Sequence, residues 1–224
     1  MQPSPADARL QVRDLHHAFA RHRVLQGIDL SLHAGECGVL LGANGSGKST
    51  LLAVLATRLR VQKGSYQLLG LDVRESAEEM RGRLLFVGHH THLYGHLTPL
   101  ENLLFFADLQ LITASEERLR AVVAAVGLEK FAEQPVRWFS AGMRKRLALG
   151  RMLLRQPELL LLDEPYSALD RQGVIWLNQV LQSYLTAGGM LLMASHDPER
   201  IAALPHRQLY LRRGRLVQSL EDEP

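Results

Sequence analysis

One short stretch restricts the folds open to this chain more than any other: Gly42-Ala43-Asn44-Gly45-Ser46-Gly47-Lys48-Ser49-Thr50. It follows the apolar run Val39-Leu40-Leu41 and opens a helical spacing of leucines at Leu51, Leu52, Leu55 and Leu59. A strand, a glycine-rich turn and a helix start, in that order, make a phosphate-binding loop rather than an ordinary flexible turn. The glycines let successive backbone N–H groups face inward. Lys48 then reaches the β and γ oxygens of a nucleoside triphosphate, and the Ser49 hydroxyl reaches Mg²⁺. The start of the helix adds the positive end of its dipole.

Around that loop, short apolar runs alternate with helical patterns. Val12, Ile28-Asp29-Leu30-Ser31-Leu32 and Val39-Leu40-Leu41 mark strands before the loop, with Gly27 and Gly35 as turn residues. Thr98-Pro99-Leu100-Glu101 predicts a helix start, with Thr98 as cap, Pro99 in the first position and Glu101 closing a capping box. Leu103, Leu104 and Phe106 are its expected apolar face. A second helix over about Ser115 to Val126 carries Leu119, Val122, Val123 and Val126 on one side and stops at Gly127. Residues 95–155 therefore read as mostly helical. Leu159 to Leu162 and Met190 to Ala194 have the length and apolarity of buried parallel strands, and a helix with Val174, Leu177, Leu181 and Leu185 lies between them. Strand, loop, helix, helical insertion, strand, helix and strand together describe an α/β nucleotide-binding core.

With 224 residues and 46% hydrophobic content, the chain can build one sizeable core, and a single domain with insertions fits better than two. The net charge of +3 is spread along the sequence, and its densest basic runs are Arg144-Lys145-Arg146 and Arg212-Arg213. These read as solvated faces, so no nucleic-acid partner is expected. Cys37 is the only cysteine, which excludes an intramolecular disulfide and suits a reducing compartment. Met1 to Pro5 lacks the layout of a signal peptide, and no run approaches the roughly 18 apolar residues of a membrane span. Any role at a membrane needs a partner chain.

The run Leu159 to Leu162 ends in Asp163-Glu164, two carboxylates at the end of a buried strand where open α/β sheets bind ligands. Asp163 is suited to hold Mg²⁺ together with Ser49, directly or through water. Glu164 is suited to polarise the water that attacks the γ-phosphate. Two further pieces stand at informative places: Phe139-Ser140-Ala141-Gly142-Met143 before a basic helix, and Ser195-His196-Asp197 after the last long apolar run.

Taken in order, Gly42 to Thr50, Phe139 to Met143, Leu159 to Glu164, Ser167-Ala168-Leu169-Asp170 and His196 resemble the phosphate-loop, signature, Walker B, D-loop and switch-histidine motifs of ABC-transporter ATPases. The resemblance spans essentially the whole chain. It implies a RecA-like P-loop ATPase core with an antiparallel β subdomain and an inserted helical subdomain. Residues 1–224 would form one domain, with 1–90 and 156–224 as the nucleotide-binding core and 91–155 as the helical subdomain that carries the signature. It further implies ATP and Mg²⁺, with Gly42, Asn44, Gly45, Ser46, Gly47, Lys48, Ser49 and Thr50 around the phosphates and Ser49 and Asp163 at the metal. Two copies would pair head to tail as a homodimer, each ATP lying between one copy's phosphate loop and the other's Ser140 and Gly142. Glu164 would act on water, and His196 would contact the γ-phosphate. Phe19 is similar in position to the aromatic that stacks on adenine. The implied partners are integral membrane permease subunits, on the cytoplasmic side of a bacterial inner membrane.

Most members of that family carry Gln near the start of the helical insertion, in a loop that contacts Mg²⁺ and the attacking water. This chain has His89 there, which puts His89 among the catalytic and metal-contacting candidates. Val87-Gly88-His89-His90, the stretch from Leu97 to Leu103, and Ala141 in the signature resemble the ATPase subunit of the haem exporter of cytochrome c maturation. The other readings are a different small ABC exporter, or a soluble ABC ATPase outside transport. A small-molecule kinase fails to explain Phe139 to Met143 or His196. Met143 stands where the signature usually ends in Gln. His89, His90, His92 and His96 are accompanied by no cysteine or paired carboxylate, so a dedicated metal site is not expected there.

Overall fold

The computed structural model describes residues 8–219; Met1 to Pro5, read above for a leader, lie outside the described residues. The chain begins with β1 (Leu10–Phe19), β2 (His22–Leu32), β3 (Cys37–Leu41) and α1 (Lys48–Leu55). Next come β4 (Lys63–Leu68), β5 (Leu71–Asp72), α2 (Val73–Arg83) and β6 (Leu84–Val87). A helical section follows, with α3 (Pro99–Leu109), α4 (Glu116–Ala125) and α5 (Ala141–Arg155). The chain then runs through β7 (Leu159–Asp163), α6 (Arg171–Thr186), β8 (Met190–Ala194), α7 (Pro198–Ile201), β9 (Arg207–Arg212) and β10 (Arg215–Val217).

The strands form an antiparallel sheet in the order β2-β1-β4-β5 and a six-stranded sheet in the order β10-β9-β3-β8-β7-β6. In the second sheet β9, β3, β8, β7 and β6 are parallel, and β10 closes the edge as a hairpin with β9. The leucine run of β7 shows how the layers arise. Leu159 and Leu161 point into a cluster shared with α1 and the antiparallel sheet, while Leu160 and Leu162 point into a second cluster with α5 and α6. Successive side chains of a strand face opposite ways, so a strand covered on both sides must be apolar throughout. Each such leucine, once buried, contributes roughly 1.5–3 kcal/mol. Cys37 belongs to the second cluster, and burial pushes its thiol up to about 12.

A third cluster holds the helical section together through Leu103, Leu119, Val122, Val123, Val126, Val136, Phe139 and Leu147. The capping box expected at α3 is formed: Thr98 Oγ1 accepts from Glu101 N at 3.2 Å and Glu101 Oε2 accepts from Thr98 N at 2.8 Å. One detail differs from the sequence reading. Leu103 is buried, but Leu104 is exposed, because the helix turns it to the outer side with Phe105.

Candidate functional site

The phosphate loop leaves β3 at Leu41, between two parallel neighbours, β8 and β9. Gly42 is required by close approach: a Cβ there would lie 2.2 Å from the Leu211 carbonyl oxygen of β9. Gly47 is required by conformation, with φ +111° where the chain turns into α1. No side chain caps α1 and no acidic residue lies in its first turn. Its unpaired N–H donors and positive dipole end therefore stay available to an anion. Lys48 is nearly buried and donates to the carbonyl oxygens of Gly42 at 2.6 Å and Ala43 at 3.0 Å. Ser46 Oγ is buried with no hydrogen-bond partner among the described residues. A loop with a folded-back ammonium and an orphaned hydroxyl is chemically matched to phosphate oxygens.

Asn44, Gly45, Gly47, Lys48, Ser49 and Thr50 share a cleft of about 350 Å³ with Val24, Asp163 and Glu164. Asp163 is the last residue of β7. Glu164 follows in a left-handed conformation, φ +48°, with its N–H donated to the Ala194 carbonyl at 3.0 Å. A non-glycine residue in that region stores on the order of 1–3 kcal/mol of strain, which concentrates at functional sites. Glu164 Oε2 lies 2.8 Å from His196 Nδ1, and the His196 side chain is 74% exposed. Ser49 and Asp163 offer hard oxygen donors in one cleft, the donor type that Mg²⁺ takes.

The remaining candidates lie elsewhere. Ser140 is exposed and its Oγ accepts from Met143 N at 3.2 Å, capping α5. A Cβ on Gly142 would lie 2.6 Å from the Ala168 carbonyl oxygen, so glycine lets the start of α5 rest on the 167–170 segment. Phe19 is 50% exposed, with its ring edge-on to His17 at 4.9 Å. His89 is exposed and meets His90 edge-on at 5.5 Å. Ser140, Gly142, Phe19 and His89 do not line the cleft. Among the described residues, no three His, Cys, Asp or Glu side chains converge on a possible metal position. A larger cavity of about 620 Å³, lined by Met152, Val180, Tyr184 and Glu158, lies at the opposite ends of β7 and β8 and contains no motif residue.

Lys145 does not lie on the solvated face that its basic run suggests. It is buried inside α5, against Gly88 and Asp163. The available signal was helical spacing, since Ala148, Leu149 and Met152 lie on the same face and are buried too.

The ABC transporter family model matches residues 25–167, which takes in the phosphate loop, the signature and the strand ending in Asp163. The chain belongs to the ABC transporter family, as an ATP-binding subunit that hydrolyses ATP. Among curated relatives, the cytochrome c biogenesis ATP-binding export protein CcmA of Cupriavidus necator is 40% identical over 173 residues, 77% of this chain and 76% of that protein. The lipoprotein-releasing system ATP-binding protein LolD 1 of Caulobacter vibrioides is 35% identical over 225 residues, covering 96% of each. A solved ATP-binding subunit of an ABC transporter superposes with a TM-score of 0.85 at 24% identity, over 92% of this chain and 87% of that one, which establishes the fold.

Proposed function

We propose that two copies of this chain pair head to tail and drive a membrane complex of cytochrome c biogenesis by binding and hydrolysing ATP. The observation that carries the pairing is the separation of the anion sites. The cleft at α1 gathers Lys48, Ser49, Asp163 and Glu164, while Ser140 and Gly142 stand outside it at a second helix start. A second copy presenting Ser140 and its neighbouring N–H groups to the γ-phosphate completes the cleft. Ser49 and Asp163 would hold Mg²⁺, which neutralises charge on the β and γ oxygens. Lys48 swings from its own carbonyls to the phosphates. Glu164 orients and deprotonates the attacking water, and His196, in contact with Glu164, holds the γ-phosphate side of that water. His89 enters from the 88–97 loop once the cleft closes, and Phe19 offers a ring face to adenine.

The partner face supports a membrane permease. Among the described residues no helix is long and apolar enough to cross a membrane. Tyr94 and Phe105 stack edge-on at 4.9 Å on the outer side of α3, beside exposed Leu104 and Leu109 and a Leu111 that is 94% exposed. An apolar face of that kind is suited to a helix from a membrane chain.

The biogenesis assignment rests on the relative at 40% identity. Lipoprotein release is the second reading, favoured by the relative that matches over 96% of both chains. Purification of the tagged chain with its native membrane partners decides between them. Cytochrome c biogenesis membrane proteins should co-purify; lipoprotein-release membrane proteins in their place would overturn the assignment.

A further inference from the structure

The helix that begins at Ser140 buries a cation one turn further on. Lys145 is 3% exposed, and its Nζ lies 3.5 Å from the Gly88 carbonyl oxygen, just past β6, and 3.5 Å from the Asp163 carbonyl oxygen at the end of β7. Its partners are carbonyl dipoles at long range. The carboxylates of Asp163 and Glu164 act on it through space. Burying an ammonium against such weak partners costs folding free energy, and an apolar side chain of the same length would fill the space at less cost. A positive charge kept there despite its cost invites a role other than stability.

The neighbouring contacts define that role. Arg151, six residues along the same helix, donates to the carbonyls of Thr91 at 3.0 Å and His92 at 2.9 Å. Val136 N and Arg137 N donate to the carbonyls of Leu97 and Gly95. The 88–97 loop is thereby fastened along its length to the segment that carries the signature. Lys145 extends this fastening to the strand end that carries Asp163 and Glu164.

We propose that Lys145 is a positioning residue that couples the two nucleotide sites of the dimer. Its ammonium holds the signature helix, which serves the partner's nucleotide, to the strand end that serves its own. Seating Ser140 on one nucleotide then sets the Asp163–Glu164 backbone at the other. This rests on the head-to-tail pairing proposed above.

The test is the dependence of turnover on MgATP concentration for the full chain, Lys145→Met and Lys145→Arg. The wild-type chain should show a Hill coefficient above about 1.5, falling to about 1 in Lys145→Met with roughly tenfold lower kcat. Binding of a fluorescent ATP analogue to the single subunit should stay within about twofold, and Lys145→Arg should restore cooperativity. A Lys145→Met chain that keeps the wild-type Hill coefficient overturns the proposal, as does a wild-type coefficient of about 1. If Lys145→Met does not fold, the same readings on Lys145→Gln decide the matter. The pairing is read separately through Glu164→Gln: dimers there with cooperativity intact in Lys145→Met remove the coupling alone, whereas monomers remove both.

Discussion

Two helix starts in this molecule are built from similar parts and reach different states. At α1 the N-terminus is uncapped, buried behind a loop whose glycines admit neighbouring backbone, and faces two carboxylates across a cleft. At α5 the N-terminus is capped by its own Ser140, exposed to solvent and preceded by Trp138, which is 66% exposed. Either could attract an anion through its dipole. Only the first has the donors, the acid and the enclosure to do chemistry. The contrast teaches that the chain carries one nearly complete site and one fragment, which under the head-to-tail pairing proposed above serves another copy.

Lys48→Ala strikes the complete site and should have the largest effect, lowering nucleotide affinity by about a hundredfold and abolishing measurable turnover. Equilibrium binding of labelled ATP together with phosphate release checks it; binding within threefold of wild type would break the distinction. Glu164→Gln should cut turnover by on the order of a hundredfold or more while ATP binding changes little, because the acid–base step alone is removed. Wild-type turnover in that variant would exclude Glu164 as the base. Ser140→Ala sharpens the comparison from the other side. Turnover should fall about tenfold with single-subunit binding within about twofold, alongside about 1 kcal/mol of stability lost with the cap. Weakened binding to the isolated subunit would instead put Ser140 in its own chain's cleft. Smallest of all, Met143→Gln should change turnover by less than about tenfold, since in the proposed pairing the backbone N–H groups at the start of α5 carry the phosphate contact and Met143 packs against the core of the helical section. A gain of tenfold or more would show that the fifth signature position governs pairing.

The parts of the molecule legible in the sequence are those fixed by local chemistry. Gly42 to Thr50 announced both the loop and α1, and the leucine run of β7 announced a strand covered on both faces. Thr98, Pro99 and Glu101 announced the start of α3. Ser115 likewise caps α4, and Gly127 takes φ +69° two residues beyond its end. The segments β4, β5, α2, β9 and β10 gave no comparable signal. Several are short, β4 places polar residues among few apolar ones, and the apolar residues of β9 run Leu209-Tyr210-Leu211 without alternation, so their pairing comes from neighbours distant in sequence. In β1, bulges between Val12 and Leu15 and the positive φ of Asp14 interrupt the alternation that would have declared its full length. Asp163 and Glu164 were legible because they close an apolar run. Lys145 was not, because burial of a lysine depends on which helix face meets the sheet, and its flanking arginines disguised it. The contact of Glu164 with His196 joins ends of two strands and was visible only once β7 and β8 were paired.

In the proposed mechanism two chains close around nucleotide, and the mass of the Glu164→Gln protein with saturating MgATP measures this most directly. Light scattering or sedimentation should report a dimer holding two ATP molecules that returns to monomer when nucleotide is removed. A monomer that stays monomeric with ATP fully bound would contradict it.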